Sequence, residues 1–231
     1  MNDIDFKGFK PTALNFLKEL SENNNRNWFN QNKQRYEDDV LMPAFDFISA
    51  MSTPLADISP HFTAIPKRIG GSLMRIYRDT RFAKDKTPYK TNIGIQFRHQ
   101  LAKDVHSPGY YLHIAPNDIF IGVGTWHPPS DALLKIRQYI VDYPQKWITA
   151  CDNNEFQKKY ELVGDKLKTA PRGFSKDHEL IDDLRWKDFI AVRNLSEKDI
   201  QKNNFVEISV KLFHTATPYM KFLCDAMGVP F

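Results

Sequence analysis

The sequence predicts an α+β fold built as a single domain over residues 1–231, a mainly antiparallel sheet in the middle of the chain packed by N- and C-terminal helices. Three observations lead there: apolar residues at helical spacing near both ends, four short β-branched or aromatic runs between them, and no repeat, linker or low-complexity tract. At 231 residues the chain exceeds the common domain size of roughly 100–150 residues but fits one globular unit. A hydrophobic content of 42%, with 17 Phe, 9 Tyr and 4 Trp, is ample for one packed core.

Pro11 to Leu20 reads as a short helix with Ala13, Leu14 and Leu17 on one side, ended by Asn23 to Asn25. A longer helical pattern runs from about Arg26 to Met51, with Pro43 expected to kink or divide it. Ser52 to Gly71, with three prolines and a Gly-Gly pair, reads as an irregular connection. The period then changes to that of strands at Leu73–Tyr77, Ile93–Phe97, Tyr110–Ile114 and Ile119–Val123, the last two joined by a turn at Pro116, Asn117 and Asp118. Helical spacing returns from Ser130, the expected N-cap, to Val141, and Pro144 closes this helix or starts another. Between Glu155 and Ser209 a helix near Phe156, extended pieces around Leu162 and Phe189, and a short helix near Ser196 are expected without a topology. Phe205 to Met227 reads as helical, broken near Pro218.

The run from Ile119 to Trp126 is too short to cross a bilayer and includes two glycines, so no membrane partner is expected. The first twenty residues mix acids with apolar positions and lack the apolar stretch of a signal peptide. Cys151 and Cys224 match neither a redox pair nor zinc-ligand spacing. Together these point to a cytoplasmic protein.

Net charge is +4, and its distribution is uneven. Between Arg75 and Lys90 lie six cations (Arg75, Arg78, Arg81, Lys84, Lys86 and Lys90) and two acids, Asp79 and Asp85, while the remainder of the chain holds 26 basic and 26 acidic residues. All the excess positive charge therefore sits in one segment. That segment reads RIYRDTRFAKDKTPYK. It resembles the core motif of the bacterial and fungal family known as domain of unknown function 2461. The resemblance extends through NNNRNWF at Asn23–Phe29, GVGTWHP at Gly122–Pro128, APRGF from Ala170 and DHELIDDLRWKDF up to Phe189, covering essentially the whole chain. It brings no established activity, substrate or catalytic residue.

The chemistry is therefore read from the residues. Three arginines within seven positions can offer planar forks to phosphate or carboxylate oxygens, and the lysines add mobile point charges, so an anionic small molecule is the expected ligand. Asp79 and Asp85, among cations, are expected to stay ionised, suited to orienting an arginine rather than donating a proton. With no glycine between Ser72 and Lys90, side chains and not a backbone nest must bind. Tyr89 and Trp126 are candidates to stack on a base or sugar, and Arg137 to reach into the cluster from its helix.

Nucleic acid held by the same cations is the alternative ligand, and an acidic partner protein a third. A concave pocket would favour the small molecule and a broad basic face the nucleic acid. The bland alternative is a loop stitched by its own Arg–Asp pairs, with the residual charge met by Glu179, Asp182 and Asp183. His106 and His127 face each other only if the hairpin extends past Pro108 and Gly109, so no metal site is expected, and no cofactor, reaction or oligomeric state is read. The geometric expectation is that Phe82 and Tyr89 are buried anchors and that at least two of Arg75, Arg78 and Arg81 converge on one cleft.

Overall fold

A computed structural model describes residues 6–101 and 107–231. In chain order the elements are α1 (Pro11–Glu22), α2 (Arg26–Gln31), α3 (Lys33–Tyr36), a π-helical turn (Glu37–Leu41), α4 (Met42–Ala50), α5 (Ser52–Ile58), β1 (Phe62–Thr63), β2 (Ile93–His99), β3 (Gly109–Ala115), β4 (Asp118–Thr125), α6 (Ser130–Asp142), α7 (Pro144–Cys151), α8 (Asn154–Gln157), β5 (Glu161–Val163), α9 (Ile181–Leu184), β6 (Phe189–Asn194), α10 (Glu197–Ile200), α11 (Phe205–Thr215) and α12 (Thr217–Met227). The sheet is antiparallel in the order β1-β2-β3-β4-β6-β5. This is the α+β architecture the periodicities predict.

Pairing register sorts the side chains. Phe97, Tyr110, Val123 and Ala191 stand opposite one another across β2, β3, β4 and β6, and all four are buried. Helices seal this face: Phe47 of α4 lies 6.3 Å from Phe97, Phe213 of α11 lies 4.5 Å from Tyr110, and Trp147 of α7 lies 5.8 Å from Phe189. Alternation sends Gln96, Tyr111, His113 and Phe120 to the other face, among Gly94, Gly122 and Gly124.

Several boundaries differ from the sequence expectations, each for a local reason. The Arg26–Met51 run divides at Asn32 and widens into the π-helical turn ahead of Pro43, where the Met42 N–H reaches back to the Glu37 carbonyl and the proline starts α4. Ser52–Gly71 is not wholly irregular: Pro54 falls in the first turn of α5, where a missing N–H costs nothing, and β1 follows. Leu73–Tyr77 is not a continuous strand. Leu73 bridges Ile95, but the chain then leaves β2, and Tyr77 bridges Tyr89 instead. Pro129, not Ser130, is the N-cap of α6. The elements expected around Phe156, Leu162, Phe189 and Ser196 are α8, β5, β6 and α10, and β6 is inserted between β4 and β5.

Gly124 has φ +119°, and a Cβ there would collide with the Phe189 carbonyl oxygen, so β4 and β6 approach only because the side chain is absent. We predict that Gly124→Ala destabilises the fold by about 3 kcal/mol or more through this clash and the disfavoured backbone, measured by urea denaturation. Gly173, at φ +90° in a place where an added Cβ would meet no atom within 4 Å, should lose less on the same change.

Candidate functional site

The basic segment forms a finger. The Arg78 N–H donates to the Pro88 carbonyl at 2.9 Å and the Lys90 N–H to the Ile76 carbonyl at 2.7 Å, closing a two-stranded base from which residues 79–87 project. Two aspartates shape the projection in the same way. Asp79 accepts the Arg81 backbone N–H and Asp85 accepts the Thr87 backbone N–H, each two residues on, the side-chain-closed turn that aspartate favours. Each also takes an arginine: Arg81 pairs with both oxygens of Asp79, and Arg78 reaches Asp85 and the Thr87 hydroxyl. Lys86 donates to the Thr80 carbonyl at 2.8 Å.

These contacts hold both carboxyls down to about 2. For Asp79 the largest cause is the Arg81 side-chain hydrogen bond, for Asp85 the Thr87 backbone N–H and then Arg78.

The finger's base is fixed to the junction of α1 and α2 by the middle one of three successive asparagines, whose neighbours cap the two helices. Asn23 caps α1 by donating to the Glu19 carbonyl, and Asn25 caps α2 by accepting the Trp28 N–H. Asn24, between them, donates to the Tyr89 carbonyl at 2.9 Å and accepts the Tyr89 N–H at 3.1 Å, as a neighbouring strand would. The Tyr89 ring stacks on Phe29 at 4.1 Å and meets Tyr77 at 5.5 Å.

Tyr89 is thus the buried anchor expected of it, but its ring is already covered and cannot stack on a ligand. Phe82 is the opposite of the expectation: it is 94% exposed, because the paired aspartates lift the tip away from the body of the protein. The three arginines do not converge on a shared acceptor either. Arg78 and Arg81 are engaged inside the finger, on Asp85 and Asp79.

What remains is four cations, Arg75, Lys84, Lys86 and Lys90, none of which forms an ion pair among the described residues. Glu179, Asp182 and Asp183 do not neutralise them; Asp182 pairs with Arg185 at 3.1 Å and Asp183 accepts from Trp147. Lys90 is half-buried, and its ammonium is pushed below 10.5 first by burial and then by the charge of Arg75. Arg26, beside the Asn24 clamp, acts electrostatically on the Tyr89 phenol. The sequence reading missed Arg26; its place two residues after Asn24 in the NNNRNWF stretch was the available signal.

Arg137 does not join the cluster. Its guanidinium donates to the Leu184 and Trp186 carbonyls at 2.8 and 2.9 Å, tying α6 to the turn before β6. Trp126 is half-exposed and stacks on His127 at 4.2 Å. It follows β4 at the end of the sheet where Arg98 and Gly109 lie, whereas Lys90 leads into Ile93 at the other end. Five residues of strand, roughly 17 Å, separate the two ends. His106 lies outside the described residues.

Two further groupings escaped the sequence reading. Buried Asp188 accepts the His127 N–H at 2.6 Å and lies 2.9 Å from its Nδ1, holding His127 at φ +47°. On the face away from the core, the Tyr111 hydroxyl, whose pKa burial raises to about 12, shares a hydrogen bond with His113 Nδ1 at 3.0 Å. His113 Nε2 is 3.6 Å from Asp118, and burial lowers the His113 pKa. The period-2 spacing of Tyr111 and His113 in β3 already put them on one face.

An antiparallel sheet carrying an asparagine-clamped basic finger defines an α+β protein with an exposed cationic projection. The chain belongs to the conserved hypothetical protein family DUF2461, whose profile matches residues 12–222. No curated protein and no solved structure matches it.

Asn24→Ala is predicted to cost about 2 kcal/mol, because Tyr89 loses partners for both backbone groups, and to speed hydrogen exchange at the Lys90 amide. Denaturation and exchange measurements check the two parts. A carboxylate titration by NMR should find Asp79 and Asp85 protonating near 2, below the ordinary 3.8. Because these folded values are depressed, the finger's pairs are intact above about pH 4 and are lost as pH falls through 2. Arg81→Ala should return Asp79 towards its ordinary value.

Proposed function

We propose that this protein binds an anionic ligand through phosphate or carboxylate oxygens at the base of the finger, with Arg75 and Lys90 as the primary cations. The supporting observation is that Lys90 is half-buried within the field of Arg75 and that neither cation forms an ion pair among the described residues, Asp79 acting on Arg75 only at longer range while its oxygens are engaged by Arg81. Holding them so costs free energy that a bound anion returns, because the attraction is stronger where water is partly excluded. Arg78 and Arg81 serve this site as struts: their pairs with the aspartates fix the projection and leave the unpaired cations to the ligand. Lys84 and Lys86 on the finger and Arg26 beside its base extend the positive field.

The roles within the six-cation segment therefore divide. Sulfate, whose charge is constant over the working range, is the appropriate first ligand. Arg75→Ala and Lys90→Ala should each weaken sulfate binding about tenfold, the scale of a hydrogen bond to a charged group, while Lys176→Ala in the 175–180 turn leaves it unchanged. Affinity should fall as pH rises through the lowered Lys90 pKa, since the ammonium is the binding form. Isothermal titration across a pH series reads both effects, and an affinity indifferent to both substitutions would refute the assignment.

A further inference from the structure

We infer that the finger is a contact for single-stranded nucleic acid, in which Phe82 stacks on an exposed base while the surrounding cations hold phosphates. This rests on the anion site proposed above and names the class of its ligand. Phe82 has the greatest exposure of any large apolar side chain among the described residues, at 94%. Its ring is outside the hydrophobic core, and the Arg81 guanidinium lies 5.9 Å from the ring centre.

The ring also stands on a preorganised support. Two aspartate turns, two Arg–Asp pairs and the Lys86 contact with the Thr80 carbonyl hold the tip, so little conformational freedom is lost when a base stacks. A ring among cations on a groove or projection is the general chemistry of sequence-tolerant single-strand binding, since every base has a face to stack. In a duplex those faces are already occupied.

Shape separates this ligand from a small molecule. The finger is convex. Two clefts of the protein lie elsewhere, one lined by Trp147, Cys151 and Asp183 and the other by Leu14, Lys18 and Thr91, and no cation of the finger lines either. An extended polyanion can touch the tip and the base of the finger together, which a pocket ligand cannot. An anionic lipid surface is less suited, because the tip has one large apolar side chain and carries Asp79 and Asp85 beside it.

The test is fluorescence anisotropy with a labelled single-stranded thymidine oligomer of about 20 nucleotides, beside a duplex of equal length, phosphatidylglycerol vesicles, and sulfate titration of the same samples. Four cations without an ion pair, Arg75, Lys84, Lys86 and Lys90, predict a log–log salt slope of about −3 for the single strand if all four meet phosphates. Phe82→Ala should weaken oligomer binding about tenfold, as loss of one stacked base does, and leave sulfate affinity unchanged; Phe82→Trp should restore it. Because the side chain is exposed, neither change threatens the fold. Sulfate binding without oligomer binding, oligomer binding indifferent to Phe82→Ala, or a preference for duplex or vesicles would overturn this inference and leave the anion site standing. Binding of neither sulfate nor oligomer would overturn both.

Discussion

Two hydrogen bonds from one amide, Asn24 to the backbone of Tyr89, hold the most highly charged segment of the chain against its helical layer. Without that junction the finger's base would have only two backbone hydrogen bonds of its own, Arg78 to Pro88 and Lys90 to Ile76, and a two-stranded ribbon alone is marginal in water. With it, Tyr89 is placed on Phe29 and Lys90 is carried into its half-buried position. The site's electrostatics follow from this placement, since partial burial and the nearness of Arg75 are what disfavour the Lys90 charge.

The finger also shows how a charge excess is distributed rather than cancelled. Asp79 and Asp85 each pair with one arginine of the loop, which fixes its shape, and two acids among six cations leave the segment's net charge at +4. A stitched structural loop and the proposed anion site are then compatible parts of one arrangement: the paired residues are the scaffold, and the residues without an ion pair are the ones proposed to meet a ligand. These pairs are exposed, so their value lies in geometry more than in stability.

Much of the fold was legible because periodicity reports which face of an element a residue takes, although in β2 the polar set, Gly94 and Gln96, is buried as well as the apolar one. Ile93, Ile95 and Phe97 alternate with Gly94 and Gln96, and the two sets lie on opposite faces of β2. Helix boundaries near Pro144 and Pro218 were equally plain. The Leu73–Tyr77 run misled because its composition suits a strand while its partner changes midway, from Ile95 to Tyr89, and composition carries no information about partners. The confinement of charge to Arg75–Lys90 was readable; the division of labour within it was not. Phe82 and Tyr89 are both aromatic residues in one motif, yet one is 94% and the other 4% exposed. The difference is set by Asn24, 65 residues away from Tyr89, and by aspartate turns whose closure no residue count reveals. Arg137 failed as a site residue for a related reason, since its acceptors are carbonyls 47 and 49 positions later.

The central proposal is that exposed Arg75 and half-buried Lys90 together bind an anion, and the Lys90 ammonium reports on it most directly. Its titration can be followed by NMR through the side-chain carbon next to the nitrogen. The account predicts a pKa below the ordinary 10.5, moving up when Arg75 is replaced by alanine and up again when sulfate is added to the unaltered protein. A Lys90 that titrates at the ordinary value and responds to neither change would contradict it.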